Sequence, residues 1–201
     1  MNILTQKLPT KIKVNGKIYD INYDYRTNLN IILAFEDEDL LYEEQLYVLI
    51  KSLYKEEIPG EDLEEAVMKG IKFLNCGEES NDLEGVERVK QDTKIKKPRV
   101  YSFSKDGNYI FTGINQTHHI DIEEKETLHW WKFMSLFMDM STDCMFGELM
   151  YYRTRKQEGK LTEEEKKNYK KIKDIVELEP AKKVESKARR EFFEEFHKTK
   201  K

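Results

Sequence analysis

Cysteine is almost missing from this sequence. Cys76 and Cys144 are its only two and stand far apart, so neither a disulfide framework nor a paired-cysteine zinc site can be built from them. That scarcity fits a reducing cytoplasm. Long apolar runs are missing too: none approaches the ~18 residues that a bilayer-crossing helix needs, and no secretory leader is recognisable at the start. A soluble protein of the cytoplasm is expected, with no membrane partner. An excess of positive charge is also lacking, since 35 Lys and Arg face 39 Asp and Glu for a net charge of −4. No general basic field draws in a nucleic-acid backbone. Finally, the chain has no Gly-rich phosphate loop, no Gly-x-Ser-x-Gly elbow and no cysteine–histidine pairing in a recognisable context. The reading is a non-enzyme without a cofactor.

What is present is charge of both signs and aromatic side chains. Charged residues make up 37% of the 201, well above the usual quarter, so much of the chain is solvated helix surface or connection. Aromatics at 11% nevertheless argue against wholesale disorder. The expected fold is mainly α, with a small N-terminal antiparallel β-hairpin. In "IKVNGKIYDINY", Asn15-Gly16 is the favoured pair for a two-residue type I′ turn. That register sets Ile12 opposite Tyr19 and Val14 opposite Lys17, with Ile12, Val14, Tyr19, Ile21 and Tyr23 on one face.

Helical spacing follows. A short helix is predicted after Thr27 from Leu29, Ile32 and Leu33, and a second from Tyr42, Leu46, Leu49, Ile50 and Leu53. A third opens at Pro59, ends at Gly77 and carries Leu63, Ala66, Val67, Ile71 and Leu74 on one face. Periodicity then vanishes, which reads as a charged linker over 78–99. The chain divides accordingly into residues 1–77 (hairpin plus helices), the linker, a helical domain over 100–178 with an aromatic core, and a C-terminal helix over 179–201. Within the helical domain, a helix near Asp106 uses Tyr109, Ile110, Gly113 and Ile114. Another caps at Ser141 or Thr142 and packs Met145, Phe146, Leu149 and Tyr152. A third opens on a Thr162–Glu165 capping box and carries Tyr169, Ile172 and Val176.

The densest stretch is "LHWWKFMSLFMDM", residues 128–140. At 100° per residue its apolar side chains cover well over half the helix, leaving Lys132, Ser135 and Asp139 as a polar strip. Exposing so much apolar surface would forfeit roughly 1.5–3 kcal/mol per large side chain, so a core helix is predicted rather than a binding face.

Candidate chemistry is thin. His118, His119, Asp121 and His129 are the one group that suggests a metal, yet neighbouring histidines point to different faces of a helix and no two-His-plus-Glu pattern accompanies them. No metal site is expected, and His129 is read as a hydrogen-bonded member of the core helix. The acidic run Glu36 to Asp39 reads as solvated charge. Lys182, Lys183, Lys187, Arg189 and Arg190 are interleaved with glutamates, which argues against strong phosphate binding. Val184, Phe192, Phe193 and Phe196 form a narrow apolar stripe in that last segment and are the candidate partner-binding residues. The stripe either docks back onto its own chain or meets a partner, a second copy or another protein, with Lys182, Lys187 and Arg190 facing an acidic rim such as Glu36 to Asp39 of a neighbouring chain.

Tyr101, Phe103, Asp106, Ile120, Asp121, Ile122, the run His129-Trp130-Trp131-Lys132-Phe133, and Arg153 together resemble the core pattern of a tail-assembly protein family of long-tailed phages and prophages of Gram-positive bacteria. The "NGKIYDINYDYR" start and the acidic helix after it resemble it as well, so most of residues 10 to 155 is covered. Two departures stand out: His119 sits where the family usually has Gly, which implies positive φ at a histidine, and the region after Arg155 is variable in the family. The resemblance implies that Asp106, Asp121, His129, Trp130, Trp131, Phe133 and Arg153 are motif residues of the structural core. It implies a gene between those of the tail-tube protein and the tape measure protein, and a chaperone that coats the tape measure in the bacterial host until tube subunits replace it. The alternatives are a helical protein-binding or nucleic-acid-binding module and an enzyme with an unrecognised site.

Overall fold

Asn15 and Gly16 turn the chain back at φ 44° and 89°, the left-handed values that a type I′ turn requires. The strands they join, β1 (Lys11–Val14) and β2 (Lys17–Asp20), pair antiparallel with Ile12 opposite Tyr19 and Val14 opposite Lys17, the register the sequence predicts. These features come from a computed structural model that describes residues 4–78 and 99–178. Ile12, Val14, Tyr19 and Ile21 are buried, and Tyr23 is half-buried. Two strands cannot hold such a face dry alone. Here they lean on a helix: Asn15 donates its backbone N–H to Glu65 and its side-chain N–H to Asp62, both at 2.7 Å.

The architecture is mainly helical, with this hairpin at the N-terminus. Helix α1 (Tyr25–Glu36) starts at Asp24, earlier than Thr27, because the Asp24 carboxylate accepts the Arg26 N–H at 2.9 Å and so caps the first turn. In α2 (Tyr42–Leu53), Leu49, Ile50 and Leu53 are buried as the spacing predicts, while Tyr42 and Leu46 are half-buried. Gln45 is buried instead, its amide donating to the Asp37 carbonyl at 3.1 Å. A 3₁₀ turn (Gly60–Asp62) leads into α3 (Leu63–Leu74), whose buried face is Ala66, Gly70, Phe73 and Leu74. That face is rotated from the predicted one, and Leu63 is 41% exposed. The cause is Gly70, which lets Leu49 and Leu53 of α2 come to about the distance a side-chain carbon would occupy.

After residue 99, α4 (Phe103–His118) begins at a Ser102 cap rather than near Asp106. Helix α5 (Trp130–Met138) follows a 3₁₀ turn at Ile122–Glu124, and α6 (Met145–Gln157) starts after Cys144 rather than at Ser141 or Thr142. Thr162 and Glu165 form the expected capping box of α7 (Glu163–Lys171), but the helix breaks at Ile172 before the short α8 (Lys173–Val176). The largest apolar cluster takes residues from the hairpin, α1 to α3, α4, α5 and the start of α6, so segments on both sides of residues 79–98 share it. A smaller cluster of Leu149, Tyr152, Tyr169 and Val176 fastens α7 and α8 to α6. The predicted linker, apart from its ends, and the predicted C-terminal helix lie outside the described residues. Among the described residues no helix is long and apolar enough to cross a membrane.

Two glycines make a contrast that tests this packing. A Cβ at Gly147 would lie 2.6 Å from the Thr142 carbonyl oxygen, whereas one at Gly107 meets nothing within 4 Å. Gly147→Ala is expected to destabilise by about 1–3 kcal/mol, because backbone cannot yield as a side chain does. Gly107→Ala is expected to stabilise by roughly 0.5–1 kcal/mol through helix propensity. Urea unfolding of both variants reads the signs; a stabilised Gly147→Ala would mean that the turn does not close on α6 as described.

Candidate functional site

The last turn of any helix leaves carbonyls without intrahelical partners. In α3 the chain itself satisfies three of them: Asn75 N–H reaches the Ile71 carbonyl at 3.0 Å, Gly77 N–H the Lys72 carbonyl at 2.8 Å and Cys76 N–H the Phe73 carbonyl at 3.0 Å. The indoles of α5 supply the Leu74 carbonyl and give the Phe73 carbonyl a second partner. Trp130 Nε1–H donates to the Leu74 carbonyl at 2.9 Å, and Trp131 Nε1–H to the Phe73 carbonyl at 2.7 Å. Gly77 permits this, since at φ 88° its Cβ would stand 2.9 Å from the Trp131 ring. Both tryptophans are buried, as are Phe133 and Phe137, whereas Met138 is 75% exposed. Phe133 stacks between Trp130 and Tyr25, with ring centroids at 5.6 and 4.9 Å.

His129 is the cap of α5 rather than a residue within it. Its Nδ1 accepts the Trp131 N–H at 3.1 Å, and its Nε2–H donates to the Pro9 carbonyl at 2.9 Å. A ring that accepts at one nitrogen and donates at the other is neutral. Burial pushes its pKa below the usual histidine range, partly offset by the bond to Pro9. The backbone beside it completes the joint: Trp130 N–H to the Tyr23 carbonyl at 2.7 Å, Tyr25 N–H to the Leu128 carbonyl at 2.8 Å, and Leu128 N–H to the Asp24 carboxylate at 3.1 Å.

Asp106 and Arg153 form the second centre. Both side chains are buried, 0% and 4% exposed, and they pair bidentately at 2.6 and 2.8 Å. The remaining guanidinium N–H groups go to the carbonyls of Val100 (3.1 Å), Ile175 (3.4 Å) and Val176 (2.5 Å). Asp106 also accepts the Ser102 N–H at 3.0 Å. Every guanidinium donor is therefore used. One residue of α6 thus fixes the start of α4 and the end of α8.

The sequence pattern of the Bacteriophage Gp15 protein family matches residues 4–178, a span that takes in every side chain of both centres. The chain belongs to that family. No curated protein and no solved structure matches it. The family's description names no enzymatic activity.

In this Gp15-family chain the other motif residues and candidate groups are placed differently. Asp121 is exposed at the start of the second 3₁₀ turn, and its side chain caps nothing there. His118 ends α4 with Nε2 at 2.8 Å from the Leu136 carbonyl, and His119 follows in the left-handed region at φ 52°, ψ 46°. Among the described residues no three His, Cys, Asp or Glu side chains converge as a metal would require. The Cys76 thiol is pushed up to about 11, first by burial and then by Glu78, so it is not a ready nucleophile. Glu36 corrects the reading of its run as solvated charge. Its carboxylate accepts the N–H of Phe103 and of Ser104 at 3.0 Å and the Ser102 hydroxyl at 2.9 Å, capping α4 from the end of α1. Arg26 likewise ties α1 to the carbonyls of Glu123 (3.1 Å) and Lys125 (3.0 Å). Sequence reasoning missed both, because each bond joins residues far apart in the chain. Val184, Phe192, Phe193 and Phe196 lie outside the described residues.

Two predictions follow from these partners. Arg153→Met strands the Asp106 carboxylate in the interior and is expected to cost about 3–5 kcal/mol, whereas adding Asp106→Leu should recover part of the loss. Additive losses in urea unfolding would show that the pair is not coupled. For His129 the folded pKa lies below the unfolded value of about 6.5, so its contribution is full above that pH and is lost as pH falls through the folded pKa. Between pH 7.5 and 5 the parent should lose more melting temperature than His129→Asn, which keeps a capping acceptor but does not titrate. Equal losses would place the titration elsewhere.

Proposed function

We propose that this Gp15-family chain serves phage tail assembly without catalysing a reaction, as a chaperone that binds the tape measure protein in the bacterial cytoplasm until tail-tube subunits take its place. The observation that carries the reading is where the chain uses its chemistry. His129, Asp106, Arg153 and both tryptophans are spent on internal hydrogen bonds, so none offers a group to a substrate. What the described surface presents instead is apolar side chains set singly among charges, including Tyr47 (64% exposed), Met68 (56%) and Met138 (75%). A coat for a long apolar helix needs such contacts, each weak enough to be given up.

Co-expression with the very long helical product of the neighbouring gene is the test. The tape measure protein is expected to be soluble and to co-purify with this chain, and insoluble when expressed alone. A tape measure that stays insoluble, or a soluble one that does not co-purify, overturns the reading.

A further inference from the structure

Residues 107–120 are the longest stretch of the chain without Asp, Glu, Lys or Arg, in a sequence where 37% of residues are charged. Most of that stretch lies on α4, and the lack of charge extends to the helix's outer face. Besides Lys105, the exposed residues of α4 are Ser104, Asn108, Phe111, Thr112 and Gln116, with Phe111 39% exposed. Elsewhere an exposed apolar group has ions beside it, as Tyr47 on α2 has Glu43 and Lys51 one turn away on either side. Several polar groups on the α4 face are already spent within the chain. The Thr112 hydroxyl donates to the Asn108 carbonyl at 2.9 Å, and Lys105 Nζ donates to the Glu177 carbonyl. Asn115 donates to Glu123 at 2.9 Å and accepts the Ile122 N–H at 3.2 Å. Covering groups that keep their own partners costs little desolvation. One turn before Phe111 stands Gly107, inside the helix, where glycine is weaker than alanine. A Cβ there would meet nothing within 4 Å, so no contact among the described residues requires a glycine. What a glycine at that place allows is close approach from outside.

We propose that this face of α4 pairs with the same face of a second copy of the chain, the two helices antiparallel, so that Phe111 of each copy seats over Gly107 of the other. The occupant is a second copy because ring and recess lie four residues apart on one face. An antiparallel copy therefore matches both at once, which closes the contact as an isologous dimer. The ends are complementary in charge as well. Lys105 lies at the N-terminal end of α4, and Asn115 holds Glu123 at the other end, so antiparallel pairing turns the cationic end of each helix toward the acidic end of its copy. A partner with a charged stripe would instead bury ions against a face that has none to pair with them. The contact is one helix wide, smaller than the roughly 1,200 Å² of standard interfaces, so the dimer is weak and forms at high concentration. The inference does not rest on the tape measure reading, since it is argued from this chain alone.

Sedimentation equilibrium of the full chain over a range of concentrations tests it. A monomer–dimer equilibrium is expected, with affinity reduced at least about tenfold by Phe111→Ser and by Gly107→Leu. Gly107→Leu should do so with an unchanged or raised melting temperature at dilutions where the chain is monomeric, which separates loss of the contact from loss of the fold. Exchanging ring and recess in one chain, Gly107→Phe with Phe111→Ala, should restore association toward that of the parent. A monomer at all concentrations, a dimer indifferent to both single substitutions, or an exchange variant that recovers no association would overturn the proposal.

Discussion

Two indole N–H groups on the last carbonyls of α3 set the geometry on which the rest of the chain depends. Those carbonyls are buried against α5, where water cannot reach them, and an unpaired buried carbonyl costs roughly 1–3 kcal/mol. Consecutive tryptophans address neighbouring carbonyls of another helix end: Trp130 gives Leu74 its partner, and Trp131 adds a second bond to Phe73, whose carbonyl also accepts the Cys76 N–H. The bonds are directional, so they fix the rotation of α5 and not only its contact with α3. From that rotation follows the rest: Phe133 is delivered to Tyr25 of α1, and Phe137 to Phe103 of α4 and Phe146 of α6.

The buried ion pair does for the second half what the indoles do for the joint. Burying two charges carries a desolvation cost of several kcal/mol per ion, which pairing repays only when the remaining hydrogen-bond capacity is filled. Arg153 meets that condition through three carbonyls, and Asp106 through Ser102. The result is a single arrangement of α4, α6 and α8 that a purely apolar contact would define less sharply. Glu36 then couples this half to α1, at the same N-terminus of α4 that Asp106 occupies.

Local signals were readable in the sequence and distant ones were not. The Asn15-Gly16 turn, its register and the Thr162–Glu165 box each depend on residues within a few positions of one another, and each stands as spacing predicts. The aromatic helix was readable too, because its burial follows from composition alone. Helix starts were displaced where a cap came from elsewhere or competed with a better local one: Asp24 is a stronger cap than Thr27, and α4 begins early because Glu36, more than sixty residues upstream, accepts its first N–H groups. The face of α3 was misjudged because Gly70 contributes no apolar surface to a periodicity count yet marks where α2 comes closest. Asp106 and Arg153 entered only through a family resemblance, since spacing along the chain gives no hint that they meet.

The same interior bonding bears on how a protein of this kind could hold an apolar partner and then let it go. With its polar side chains committed inside, the fold presents its surface as a fixed scaffold, and binding a partner need not reorganise it. The exposed apolar groups are dispersed: Tyr47 on α2, Met68 on α3 and Met138 at the end of α5 are set among charged neighbours. No single one anchors a tight complex, because strong interfaces gather their aromatic anchors at a desolvated centre. Affinity for a long helix would then come from many copies side by side, each adding a modest increment at high local concentration. On that proposal such an array would be strong as a whole and weak at its edge. Under the proposed tape measure reading, incoming subunits would then displace copies one at a time from an end, where each copy has only one neighbour.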